Sequence, residues 1–309
     1  MSGLSVPSTL HEGPGRTHDG KAWLGRLPDL VERARVRWDL RLGEPFTTGA
    51  AAWAAPADLP DGTTAVLKIS FQHDEARYEA IALRAWHGRG VPLLIDENQQ
   101  DWALLLERVE PGTPLAHAPL GVGERLAIAV DVQRQLLDAP EPADVPDMGK
   151  VCAGWASLLE ERAERWGGRG AHPEHLELVQ GAAGLLRSLP TSDHPRVVVH
   201  GDLNPGNVLR ARDRWVAIDP KPMRGDAAYD LWPLLEQLED PFATADPATT
   251  LHDRVTLVAH RSGLDLQRIA AWGWARGAEY ALWMAEEQQD DAAATRALDR
   301  VAVWARLAA

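Results

Sequence analysis

Residues 197–232 read VVVHGDLNPGNVLRARDRWVAIDPKPMRGDAAYDLW. The β-branched run that ends at His200 predicts a strand, and residues 215–218 predict a second, which delivers Asp219. Between them lies a loop rich in Asn, Pro and Gly that carries Asp202 and Asn207. Polar groups at strand exits sit on rigid supports, while the loop backbone is free to approach a ligand. A His-Gly-Asp tripeptide alone is more often a turn than a catalytic loop, so the weight falls on the spacing of all three polar groups.

Phosphoryl transfer from a nucleotide needs these residue types in this register. An attacking hydroxyl must be oriented and lose a proton, which makes Asp202 the candidate base. Mg2+ takes hard oxygen ligands and spans phosphates; the amide of Asn207, five residues on, and the carboxylate of Asp219 supply two.

At these residues the chain resembles a known family. His200-Gly-Asp202, Asn207 and Ile218-Asp219-Pro220 are similar to the pattern of the aminoglycoside phosphotransferases, antibiotic kinases that share the protein-kinase fold. The string from Trp215 to Pro222, with Gly225-Asp226 and Tyr229-Asp-Leu-Trp232, resembles more narrowly their streptomycin 6-kinase and hydroxyurea phosphotransferase branch. The resemblance implies an α+β, two-lobed protein-kinase-like fold, with an N-terminal antiparallel β-sheet lobe and a larger helical C-terminal lobe. It implies ATP and Mg2+ as cofactors and a hydroxyl of streptomycin or a similar cationic antibiotic as acceptor. Other acceptors, such as hydroxyurea or a metabolic alcohol, stay open, as does a nucleotide-binding protein without transfer activity. Within the pattern, Asp226 and Asp230 are expected to brace the catalytic loop, and His200 to be a buried scaffold residue. Asn204 stands where the family often carries His.

Upstream, residues 42–69 predict strands around a small-residue turn, Thr47-Thr48-Gly49-Ala50, and a Pro60-Asp-Gly62 turn. Gly43 and Gly49 are the only glycines near the first turn, so backbone donation to phosphate is weakly marked there. Lys68 ends an apolar strand; alone it reads as a solvated edge lysine. Eleven residues later Glu79 falls on a helix expected over 74–86, with Glu75 as the competitor. In kinase-like folds such a lysine contacts phosphates while the glutamate orients it. Residues 93–96 and 102–108 predict a hairpin, and the resemblance assigns the adenine contacts to Glu107 through Val109. The expected organisation is a flexible terminus over 1–18, a nucleotide-binding lobe over 19–110 and a catalytic, substrate-binding lobe over 111–309. Pro28 is expected to separate two short helices after Asp19. Pro220 and Pro222 flank Lys221 and leave little for a phosphorylation switch of the kinase type.

Past residue 119 the apolar spacing is helical, over 123–137, 151–166 and 175–189, and again through the C-terminal third. Glu279, Trp283, Glu286 and Asp290 follow at helical offsets and predict one acidic face. An exposed helix face explains them; the resemblance suggests instead carboxylates for an ammonium or guanidinium group, with Glu236 and Glu239 as further candidates. The 13 tryptophans suit core packing more than a ligand platform.

The 309 residues suit two lobes, and the composition is globular, 45% hydrophobic and 25% charged. A formal net charge of −13 argues against nucleic acid or an anionic membrane as partner and favours a cationic small molecule. A single cysteine, Cys152, makes no internal disulfide. With no apolar run of membrane length and no leader pattern, a cytoplasmic protein is expected, monomeric or weakly dimeric.

Overall fold

The computed structural model describes residues 4–49, 51–74, 76–142 and 144–309. Glu75, the competitor to Glu79, and Ala50 of the first turn lie outside the described residues.

The chain begins with a short helix α1 (Ser8–Glu12) and a single 3-10 turn, Pro14–Arg16, before α2 (His18–Arg37). Helix α2 starts where the Thr17 hydroxyl accepts the Gly20 amide, an N-cap. It is one helix, not the two expected. Pro28 lies on its exposed side, where water can satisfy the carbonyl that proline leaves unpaired, and the buried stripe Trp23, Leu27, Leu30, Val31 and Ala34 carries the helix across it. The segment expected to be loosely attached is also docked: Leu10 is buried, and the Trp53 indole donates to the Ser5 carbonyl.

Five strands follow in antiparallel pairing, β1 (Arg41–Leu42), β2 (Ala52–Asp58), β3 (Thr64–Ser70), β4 (Leu94–Asn98) and β5 (Ala103–Glu107), in the order β1-β2-β3-β5-β4. The period of two sorts their side chains. Trp53, Ala55, Ala57, Ala65, Leu67, Ile69, Ala103 and Leu105 form one core with the α2 stripe. The other face carries Ala54, Lys68 and Leu104 side by side across three strands and turns toward the larger lobe. Helix α3 (Glu79–Trp86) bridges the two: its Ala82, Leu83 and Trp86 pack into the core of the helical lobe.

Past the Pro-Gly step the fold continues with β6 (Pro111–Pro114), α4 (Val122–Leu137), α5 (Met148–Gly167), α6 (Pro173–Ser188), β7 (Val197–Val199), β8 (Val208–Ala211), β9 (Arg214–Ala217), β10 (Met223–Gly225), α7 (Trp232–Gln237), α8 (Pro247–Ser262), α9 (Leu266–Glu287) and α10 (Asp291–Ala308). Strand β7 pairs with β10, and β8 lies between β6 and β9, so the loop 200–207 spans two small sheets. Beneath them α9 runs through the lobe interior with Trp272 fully buried. At Gly273 a Cβ would stand 2.4 Å from the Trp304 ring, so glycine is what lets α9 and α10 pack this closely. Asp290 caps α10 and does not continue the α9 face, which ends at Glu287. Among the described residues no helix is long and apolar enough to cross a membrane.

Candidate active site

A cleft of about 1420 Å3 opens between the two lobes and is lined by Lys68, Glu79, Glu107, Val109, Asp202, Asn207, Asp219 and Lys221. Residues 151 positions apart meet there. The Lys68 amine donates to both carboxylate oxygens of Glu79 at 2.7 Å and to Asp219 Oδ1 at 2.6 Å. Lys68 reaches this point because its register on β3 sends it to the cleft face, and Glu79 because it opens α3 directly opposite.

Burial lowers the affinity of Lys68 for its proton, but the charges of Glu79 and Asp219 outweigh it and hold the ammonium above the ordinary lysine range. Burial pushes Glu79 above the usual carboxylate range, with the Lys68 charge opposing. Asp219 is held down at about 2, chiefly by that same ammonium. Its backbone has a φ of 60°, the left-handed region that a non-glycine residue occupies only under constraint, and such constraint gathers at functional sites.

The loop 200–207 is built from its own side chains. Asn204 Oδ1 accepts the amides of Gly206 (2.9 Å) and Asn207 (3.1 Å), while its Nδ2 donates to Asp202 Oδ1 at 3.1 Å. Asn204 is thus the peg around which the loop turns, a role its sequence position did not reveal. Asn207 Nδ2 donates to the Asp202 carbonyl at 3.0 Å, which leaves Asn207 Oδ1 as the acceptor that a cation would find. His200 is fully buried, stacks on Trp86 with ring centroids 6.4 Å apart and accepts the Asp202 amide on Nδ1 at 3.3 Å. Asp230 braces the loop from below, taking the amides of His200 and Gly201 at 2.8 Å each. Asp226, expected to do the same, instead ties β10 to α9 through Arg268 (2.6 Å) and the Trp272 indole (2.5 Å).

Toward the hinge the cleft becomes an apolar slot, with Ala54, Val66 and Leu106 on one side and Leu209 and Ile218 on the other. Val109 lines it, and its amide makes no backbone hydrogen bond with the described residues. Glu107 lines it too, yet its polar groups are engaged: the amide donates to the Leu93 carbonyl at 2.8 Å, and the carboxylate takes Arg214 at 2.8 and 2.9 Å. Its side chain therefore joins the lobes, and only the backbone of this stretch remains for a ligand.

The acidic candidates from the C-terminal helices do not join the cleft. Glu236 accepts the indole N–H groups of Trp232 (2.8 Å) and Trp304 (2.6 Å). Glu239 pairs with Arg125, Glu279 stands 3.7 Å from Arg162, and Glu286 is clasped by Arg162 (2.8 Å) and Arg165 (2.6 Å). Trp283 stacks on Tyr280. Helical offsets placed Glu279 and Glu286, though not Asp290, on one face of α9, but the arginines of α5 that neutralise that face are invisible to an offset. Sequence reasoning also missed Lys221, whose amine is 3.2 Å from Asp202 Oδ2. A lysine two residues beyond a metal-type aspartate was the available signal.

Comparison with known proteins places the chain among kinases. A family model described as aminoglycoside/hydroxyurea antibiotic resistance kinase matches residues 37–288. The chain is 32% identical over 288 residues to the streptomycin 6-kinase of Streptomyces glaucescens, covering 92% of each. It is 32% identical over 274 residues to the hydroxyurea phosphotransferase of Kitasatospora aureofaciens, covering 87% of this chain and 76% of that one. Among solved structures, a choline kinase from Streptococcus pneumoniae superposes with a TM-score of 0.61 at 13% identity, covering 90% of this chain and 98% of the other, a likeness of fold.

Proposed function

The chain belongs to the aminoglycoside/hydroxyurea antibiotic resistance kinase family, and from that premise we propose that it transfers the γ-phosphoryl group of ATP to a hydroxyl of streptomycin or a closely similar cationic aminoglycoside. The observation that carries the reading is the meeting of Lys68, Glu79 and Asp219 across 151 residues of sequence, within one cleft that also holds Asp202 and Asn207.

In this reading the apolar slot takes the adenine, with the Val109 backbone as its hydrogen-bonding edge. Lys68, aligned by Glu79, meets the α- and β-phosphates. Mg2+ takes few protein ligands when it bridges phosphates and completes its shell with phosphate and water oxygens. Asn207 Oδ1 and the Asp219 carboxylate are the hard oxygens that would hold Mg2+, and when bound it neutralises charge on the phosphates. The acceptor oxygen uses a lone pair to form the new bond to γ-phosphorus. The bond from phosphorus to the β,γ-bridging oxygen breaks, its electrons leave with ADP, and the hydroxyl proton passes to Asp202. Catalysis is then mostly positioning and charge neutralisation.

Release of ADP on addition of streptomycin, other aminoglycosides, hydroxyurea or simple alcohols tests the acceptor. Asp202→Asn tests the mechanism: turnover should fall about 100-fold or more while MgATP still raises the melting temperature as it does in the wild type. Full turnover in that variant would remove Asp202 from its role.

A further inference from the structure

The loop 200–207 contains no lysine or arginine, so positive charge for a phosphoryl group reacting in front of Asp202 must come from elsewhere in the fold. The Lys68 amine is held between Glu79 and Asp219, 2.7 Å from both Glu79 oxygens and 2.6 Å from Asp219 Oδ1. We infer that Lys221 is a further catalytic residue, one that holds the equatorial oxygens of the phosphoryl group in transit between nucleotide and acceptor; the inference rests on the kinase reading of the cleft.

The placement argues for it. Lys221 lines the cleft, and its amine is 3.2 Å from Asp202 Oδ2. An acceptor oxygen that gives its proton to Asp202 lies about 2.6–3.2 Å from that carboxylate. Phosphorus in a near-attack arrangement lies about 3–3.5 Å beyond the oxygen. The equatorial oxygens then fall roughly 5 Å from Asp202, a distance the flexible end of a neighbouring lysine covers by rotation about its terminal bonds. As the oxygen–phosphorus bond forms and the bond to ADP breaks, charge on those oxygens is what the ammonium meets, in the transition state more than before it.

The backbone argues for it as well. Pro220 and Pro222 fix φ on either side of Lys221, and its amide donates to the His200 carbonyl at 2.8 Å. At Gly201, whose φ is 85°, a Cβ would stand 1.9 Å from the Lys221 carbonyl oxygen. Only glycine lets the loop lie against Lys221, so Asp202 and the base of the lysine are parts of one rigid unit. The lysine and aspartate side chains are 37% and 29% exposed, and an ion pair that wet contributes little to folding. The fixed backbone thus holds both groups at the cleft, where a ligand can reach them.

The test compares Lys221→Met and Lys221→Arg with the wild-type enzyme, with Lys221→Gln replacing the methionine variant should that one fail to fold. Steady-state kinetics give kcat and KM for MgATP; calorimetry gives the affinity for MgADP, alone and with aluminium fluoride and acceptor present as a transition-state mimic. Lys221→Met should lower kcat about 100-fold, leave KM for MgATP and the affinity for MgADP within threefold, and lose the tightening of MgADP by aluminium fluoride. Lys221→Arg should recover most of both. A kcat within threefold of wild type, or an equal loss in MgADP affinity, would overturn the inference. So would tightening that survives in an inactive Lys221→Met, since the lysine would then act on Asp202 alone. Wild-type enzyme that binds no MgADP would overturn the kinase reading itself, and the inference with it, before any variant is made.

Discussion

Two buried titrating groups hold the loop 200–207, His200 from within it and Asp230 through the amides of His200 and Gly201, and their effects on stability run in opposite directions with pH. Burial holds His200 at about 4 against an ordinary 6.5, so between those values the unfolded chain binds a proton that the folded chain refuses. Stability from His200 is therefore lost as pH falls from 6.5 toward 4. Protonation there would also place a proton on Nδ1 and break its bond from the Asp202 amide. Asp230 is the reverse: burial pushes it up to about 7 from 3.8, against the two amides that favour its anion. Across that range the folded chain keeps a proton that the unfolded chain releases, so its contribution to stability is present at low pH and lost as pH rises toward 7. The two contributions oppose each other in the wild type, and single variants should separate them. Relative to wild type, His200→Asn should gain thermal stability as pH falls from 7 to 4, and Asp230→Asn should lose it over the same interval. Melting temperatures measured across that range check this; parallel curves for all three proteins would mean that neither group titrates in the fold as described.

At the scale of elements, the contrast lies between spacing along the chain and neighbours across it. Asp202, Asn207 and Asp219 were legible because one loop and one short strand fix their relations, and Lys68 because a strand end and a helix eleven residues later imply its partner. Lys221 was not, since nothing local shows that the chain folds back to set its amide on the His200 carbonyl. Strands β6, β8 and β10 went unread for a similar reason: they are three or four residues long, and two of them carry Pro or Gly. Glu236 on α7 and Glu279 and Glu286 on α9 were legible as helical, whereas Glu239, expected on the same helix as Glu236, falls beyond the end of α7 at a φ of 59°; the partners of all four, on α4, α5, α7 and α10, were not legible. Glu236 illustrates the difference. As the shared acceptor for two indole N–H groups it holds α7 to α10, so Glu236→Ala should destabilise by about 1–3 kcal/mol for the donors left unsatisfied. Below the melting transition kcat and KM for both substrates should stay within twofold. A large rise in KM for the acceptor, at unchanged stability, would return Glu236 to the binding site.

At the scale of the whole molecule, the segment before α2 forms part of the wall of the cleft. Gly13 and Pro14 line that cleft together with Thr48 and Gly49, and the Thr9 hydroxyl donates to the Gly49 carbonyl at 2.6 Å. The turn expected to cover the phosphates lacks the glycine-rich sequence that would let its own backbone wrap an anion, and here its Gly49 is tied to the terminal segment instead. That segment is seated by the buried Leu10 and by the bond from Trp53 to Ser5, and Gly20 lets it approach α2, since a Cβ there would stand 1.9 Å from the Pro14 carbonyl oxygen. Deletion of residues 1–16 should therefore have two separable effects. Loss of the Leu10 contacts should lower stability by about 2–5 kcal/mol. The released turn should raise KM for ATP several-fold, while the meeting of Lys68, Glu79 and Asp219, which depends on β3, α3 and the end of β9, keeps kcat within about threefold. Leu10→Ala provides the control, since it weakens the seat without removing Thr9. If the deletion lowers the melting temperature yet leaves KM for ATP unchanged at a temperature where the enzyme is folded, the terminal segment stabilises the sheet lobe and has no part in holding the nucleotide.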